Sequence, residues 1–287
     1  MPHTNDYGTG AVGIALNDEA GSTAATRVPM AVPPVILMRS INGSERWREA
    51  FRSVDWVIPA YVSTGALSSV AALIEQATGP DKQTVLQAAL PFFYNAERLS
   101  SMLLGLYRQT MHVRDFAVQI SEAIEAFYFG LPHAAIATLI LVLEGVIRKI
   151  AREGQRDVGS GTAKLIDELN ELIDREDRSP HRYEERLLML QTLRDFFSER
   201  LLKSTSTYAG LDQLNRHGIL HGIFDQYGDP TNFFRLITLL DLLCFAMALV
   251  HGGSCFAPDH TPESKRLAAH YRKLKVQRAE VASMRAI

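Results

Sequence analysis

Cysteine is nearly absent from this chain of 287 residues: only Cys244 and Cys255 occur, and they do not form a C-x-x-C pair. That scarcity excludes a disulfide framework and a zinc knuckle and fits a reducing, cytoplasmic setting. An excess of either charge is also missing. Thirty Lys and Arg stand against thirty-two Asp and Glu, a formal charge of −2, so contact with nucleic acid would have to come from a local patch. The N-terminus lacks a basic region followed by an apolar run and lacks an Arg-rich face, so no export or transit signal is read there. Uninterrupted apolar runs of the ~20 residues that a membrane span needs are missing too. Residues 134–143 run directly into Glu144, Arg148 and Lys149, and residues 236–250 have Arg235 at their start and Asp241 in their middle. Both read as core helices, and no membrane partner is expected. Strand-like alternation is absent throughout, while a hydrophobic content of 47% excludes disorder of the whole chain.

The pattern that is present is helical. Residues 1–38, rich in Gly, Ala, Thr, Asn and Pro and closed by Val32-Pro33-Pro34, read as a mobile tail. Residues 39–110 read as a helical extension, with helices over 44–54, over 57–77 with Pro59 near the start, and over 81–110 interrupted by Pro91. From 111 to 252 the apolar faces sharpen. Phe116, Ile120, Ala123, Ile124 and Phe127 repeat at intervals of three and four, and Leu187, Leu190, Leu193, Phe196 and Phe197 do the same. Helices are expected over 113–129, 134–151, 163–173, 211–224 and 233–250. Another is expected from Ser179-Pro180, as N-cap and first helical position, to about residue 203. The fold class is therefore all-α, an antiparallel helical bundle with an N-terminal helical extension. Residues 253–287 form a basic C-terminal segment, with Lys265, Arg266, Arg272, Lys273, Lys275, Arg278 and Arg285 against Glu263 and Glu280. It reads as a solvated segment in preference to an electrostatic guide for RNA phosphates, and it can form an amphipathic helix around Leu267, Tyr271, Leu274 and Val281.

The densest group of reactive side chains is Asn215-Arg216-His217-Gly218-Ile219-Leu220-His221-Gly222, in which Arg216 and His221 stand as R-x4-H. On a helix, five residues separate them by roughly 140° and 7.5 Å, a gap the long Arg side chain can narrow, while His217 and His221 at i, i+4 share a face. A guanidinium and two imidazoles can thus meet on one anion. The chemistry this suits is cleavage of an RNA phosphodiester. Imidazole titrates near neutral pH and can take the proton of a ribose 2′-hydroxyl or protonate the leaving 5′-oxygen, and Arg can hold the phosphate as charge develops. The plainer reading is a pair of surface or capping histidines beside a salt-bridged Arg.

The order of features over about residues 112–250 resembles the HEPN superfamily (higher eukaryotes and prokaryotes nucleotide-binding domain). The features that carry the resemblance are residues 121–128, then 135–150 with Glu144-Gly145, a long third helix, Leu214-Asn215-Arg216-His217 through His221-Gly222, a Tyr227-Gly228 turn and a final apolar helix. The family's ribonucleases are similar in carrying R-x4-6-H, often with a polar residue after the Arg, a place held here by His217. The resemblance implies metal-independent endoribonuclease activity with Arg216 and His221 as the catalytic pair and His217 assisting. It also implies a homodimer in which two motifs face each other, and a role in defence such as a toxin or antiviral system, with an antitoxin or regulatory protein as a further partner. The alternative reading is a non-catalytic helical module that binds nucleotide, RNA or a partner protein.

Four supporting residues are singled out. Glu144, a carboxylate at the end of an apolar run, needs a cation or base if buried, and either orients Arg216 or a motif histidine or pairs with Arg148. Asn215 precedes the motif. Tyr227 either stacks on a base or packs its turn. Asn232 either shapes the site or caps the helix beginning at Phe233. No cofactor is expected, and no metal at the motif. His217, His221 and Asp225 at i, i+4, i+8 would span ~12 Å on a straight helix, and H-G-I-L-H lacks the Glu of a zincin. Gly154 to Thr162 carries Ser160 where a phosphate loop needs Lys, and no G-x-S-x-G nucleophile elbow occurs.

Overall fold

The helix boundaries follow local chemistry. The computed structural model describes residues 42–156 and 161–285 and consists, over those residues, of helices and loops. The α-helices are α1 Asn42–Arg52, α2 Thr64–Gln76, α3 Asp81–Phe93, α4 Ala96–Met102, α5 Ala117–Phe129, α6 Pro132–Glu153, α7 Ala163–Asp177, α8 Glu184–Phe196, α9 Arg216–Leu220, α10 Pro230–His251 and α11 Pro262–Arg285. Residues 1–38, expected as a mobile tail, lie outside the described residues, as do Gly159 and Ser160 of the Gly-rich segment.

Helix α10 is the axis. Asp229 caps it by accepting from the Thr231 amide at 2.6 Å, Pro230 supplies the first helical residue, and Gly252 at φ 76° closes it in the left-handed region. Its side chains are buried almost all round. By length and composition α10 would suffice to cross a membrane, but 83% of its apolar window is buried inside the protein. Its two charged residues are accommodated there. Arg235 donates to Asp212 and Asn232, and Asp241 accepts from the Tyr107 hydroxyl at 2.6 Å. Helices α6, α8 and α3 pack on α10, and α5 folds back on α6 through Gly130, whose φ of 85° permits the sharp turn. Phe127 of α5 stacks on Phe233 of α10 with centroids 3.8 Å apart.

Helices α1 to α4, expected as an extension beside the bundle, are part of its core. Phe51, Trp56, Leu67, Leu90 and Leu99 are buried in the same cluster as the α6 and α10 side chains, and the Tyr94 hydroxyl bonds Thr238 of α10 at 2.7 Å. The 57–77 helix is shorter than expected. Pro59 disfavours helical geometry in Ile58, so residues 57–63 run irregularly and α2 begins only after the Ser63 cap. Pro91 falls in the last turn of α3, and the break comes at Tyr94-Asn95, where Asn95 caps α4 by accepting from the Arg98 amide at 2.8 Å. Ser179-Pro180 does not start α8. The Ser179 hydroxyl is taken by the His181 amide in a local turn, and the helix waits until Glu184.

The C-terminal segment is a docked helix, not a solvated one. Ser264, Ala268 and Tyr271 of α11 are buried against α4 and α5, and Tyr271 stacks on Tyr128 with centroids 5.1 Å apart and planes within 5°. The buried positions recur with helical period, and the basic residues Lys265, Arg266, Lys273 and Lys275 stand exposed, Arg266 and Lys273 on the face opposite the buried stripe. Arg272 pairs with Glu97, and Arg278 covers Gly130. Val281 lies beyond the side chains described.

Candidate functional site

The R-x4-H motif occupies a helix of five residues, not the 211–224 helix its pattern suggests. Upstream, Gln213 sits at φ 53°, which no α-helix accommodates, and the helix can start only at the Asn215 cap. The Asn215 side chain is wholly buried. Its Oδ1 accepts from the Gly218 amide at 2.9 Å, and its Nδ2 donates to the carbonyls of Arg200 and Lys203 at 3.1 and 2.8 Å. Thus Asn215 positions the motif. Downstream, Gly222 at φ 68° ends the helix, and the chain folds back so that the amides of Ile223 and Phe224 both donate to the Gly218 carbonyl. Gly218 admits this return because a Cβ there would stand 2.3 Å from the Phe224 ring.

Arg216 opens α9 and His221 caps its end. His217 and His221 are exposed, and their ring centroids are 4.2 Å apart, as i, i+4 spacing on one face predicts. Arg216 turns to α6. Its Nε donates to Glu144 Oε1 at 2.5 Å and its Nη2 to Oε2 at 3.4 Å, while Arg148 approaches Oε2 at 3.6 Å. Of the partners read for Glu144, Arg216 and Arg148 are found, and a motif histidine is not among its contacts. The Glu144 side chain is 7% exposed and that of Arg216 22%, so a buried carboxylate anchors an arginine side chain that is itself partly exposed. The structure brings together the two imidazoles and, separately, Arg216 with Glu144. Leu141, one turn before Glu144 on α6, and Ile223, just past the motif, are exposed apolar residues at 55% and 57%.

Tyr227 and Asn232 support the turn after the motif. The Tyr227 ring meets His133 edge-on at 4.9 Å, and its carbonyl accepts from Asn232 Nδ2 at 3.0 Å. Asn232 is not the N-cap of α10. It is fully buried in the first turn of α10, where it also donates to the Asp212 carbonyl at 2.8 Å, and Asp229 does the capping.

A second polar cluster went unread in the sequence. Asp212 accepts from Arg235 at 2.5 Å, from Arg200 at 2.7 Å and from the Tyr208 hydroxyl at 2.6 Å, and Arg200 also pairs with Asp55 at 2.7 Å. Burial on its own would raise Asp212, but the guanidinium groups of Arg235 and Arg200 outweigh it and hold the carboxyl below its ordinary value. Burial pushes the Arg235 guanidinium down. These residues floor a cleft of about 530 Å³ that Lys203 and Asp229 also line. The one sequence signal was Arg235, a cation at the head of an apolar run with no local partner.

Among the described residues, His217, His221 and Asp225 do not gather as metal donors, whereas His112, Glu153 and His251 do. No protein-family model matches the chain, and neither a curated protein nor a solved structure is found to be similar to it.

Proposed function

We propose that this chain is a metal-independent endoribonuclease of the HEPN type that acts as a homodimer in the cytoplasm, in a defence or toxin-type system. The observation that carries the reading is the α9 constellation. A buried Glu144 fixes Arg216 at the start of a five-residue helix whose end presents two adjacent, solvent-reachable imidazoles, His217 and His221. The ribose 2′-hydroxyl attacks the adjacent phosphorus, the bond to the 5′-oxygen breaks, and the products are a 2′,3′-cyclic phosphate and a 5′-hydroxyl. His221 serves as the main acid or base for the proton transfers, His217 hydrogen-bonds to the phosphate or to its neighbour, and the free edge of Arg216 stabilises the phosphate charge. Glu144 and Asn215 position these groups, and Asn232 and Tyr227 hold the following turn.

Single-chain geometry offers one imidazole pair and one partly engaged guanidinium, so a second copy facing the first completes the cleft. The exposed Leu141 and Ile223 beside the motif give that copy apolar contact surface. The basic outer face of α11 is a further place for RNA phosphates. The alternative, a non-catalytic module that binds nucleotide, RNA or a partner protein, is favoured by one observation: Glu144 already takes the Arg216 Nε. The two readings separate in one experiment. End-labelled single-stranded RNA incubated with the chain in EDTA should yield 2′,3′-cyclic phosphate and 5′-hydroxyl ends, and RNA carrying 2′-deoxyribose at the cleaved position should survive. Binding without new ends refutes the enzyme.

A further inference from the structure

Away from α9, three donors from three distant parts of the chain converge. His112 lies in the turn after α4, Glu153 is the last residue of α6 and His251 the last of α10. His112 Nε2 stands 2.7 Å from Glu153 Oε2, and His251 Nε2 stands 3.4 Å from the same oxygen. The two imidazoles meet edge-to-face with centroids 6.2 Å apart, and all three donor atoms lie within 4.8 Å of one another.

We propose that His112, Glu153 and His251 form a zinc site that ties the ends of α6 and α10 to the turn entering α5. The donor set is two imidazole nitrogens and one carboxylate oxygen, which suits Zn2+ and the neighbouring late transition metals and does not suit Mg2+ or Ca2+. Tetrahedral zinc with bonds of ~2.0–2.1 Å needs its donors roughly 3.3 Å apart. The His251–Glu153 pair already has that spacing at 3.4 Å, and the His112–Glu153 pair at 2.7 Å must open by about 0.6 Å, within reach of a carboxylate rotation. The backbone is set for this convergence at a cost. His112 is held at φ 65°, a left-handed conformation that a residue with a Cβ rarely adopts.

Surrounding charge is mixed. Asp115, paired with Lys149, faces His112, and Arg175 of α7 lies near Glu153. The side chains are 16%, 43% and 29% exposed for His112, Glu153 and His251, so the ion is reachable from solvent and exchangeable, with one coordination position left for water. Nothing in this proposal depends on the reading of α9.

The test uses the full chain, free of any affinity tag and stripped with chelator. Zn2+ titration should show one ion per chain and a raised melting temperature, because an ion that binds only the folded state stabilises it. His112→Gln and His251→Gln should each weaken binding at least tenfold, and a His217→Ala/His221→Ala double variant should bind as the wild type does. Wild-type chain that takes up no zinc, or ligand variants that bind as tightly as wild type, would overturn the proposal, as would loss confined to the His217/His221 variant. Should a ligand variant fail to fold, Co2+ bound to the wild type decides: a tetrahedral visible spectrum supports the site, and the spectrum of octahedral cobalt or of free ion refutes it.

Discussion

Asp241 makes folding stability depend on pH in a direction that most acidic residues do not. It sits mid-way along α10 at 1% exposure, with Oδ1 accepting from Tyr107 at 2.6 Å and Oδ2 without a hydrogen-bond partner among the described residues. Burial raises its carboxyl to about 7, against the opposing pull of Arg98 and the Tyr107 bond. An unfolded Asp titrates near ~3.9. Over that window the folded state holds a proton that the unfolded state has released. The contribution of Asp241 is therefore fully present below about pH 4 and falls by about 1.36 kcal/mol per pH unit, and it is lost as pH rises through about 7. The whole window amounts to roughly 4 kcal/mol, of which about 3 kcal/mol falls between pH 5 and pH 8. Asp241→Asn keeps an acceptor for Tyr107 but cannot ionise, so this slope disappears, at a cost of roughly 1–3 kcal/mol for the amide left unpaired. The assay is urea unfolding of both proteins at pH 5 and pH 8. Wild type should lose about 3 kcal/mol more than the variant between the two. An equal loss in both would mean that Asp241 is ionised in the core, and the burial argument would fail.

Two further changes probe the motif's support. Gly218→Ala drives a methyl group into the Phe224 ring, whose backbone is pinned to the Gly218 carbonyl, and should destabilise by about 1–3 kcal/mol; an unchanged melting temperature contradicts the close approach. Glu144→Gln leaves an acceptor for the Arg216 Nε but removes the charge. It should lower RNA cleavage by about tenfold, the weight of roughly 1.4 kcal/mol in a charge-assisted bond, and an undiminished rate would show that Arg216 needs no anchor.

The long helices were legible because burial imposes a period on them. The stripe from Phe116 to Phe127 and the apolar run of α10 predict their elements to within a few residues. Where a short-range signal met a competing local bond, the reading failed. Ser179-Pro180 carries a good cap signature but spends its hydroxyl on a turn, and Asn232 resembles a cap one turn after Asp229 has served. The 211–224 stretch has helical period, yet Gln213 and Gly222 take left-handed backbone angles that periodicity does not register. Glu144 was legible as a buried carboxylate in need of a cation, and both of its partners, Arg216 and Arg148, were named from that argument. The Asp212 network and the His112–Glu153–His251 cluster were not, because their members come from elements that only the tertiary fold brings together. The docking of α11 was hidden by its charge, which masks a buried stripe of Ser264, Ala268 and Tyr271.

The most direct test of the account is the single-turnover rate of RNA cleavage in EDTA by wild type, Arg216→Ala and His221→Ala, with folding of each checked by melting temperature. Loss of an acid–base group or of a charge clamp should slow cleavage by about 100-fold or more in either variant; Arg216→Ala, which takes the nearer cation from the buried Glu144, should also lower the melting temperature, whereas His221→Ala should not. Cleavage that persists at the wild-type rate in both would contradict it.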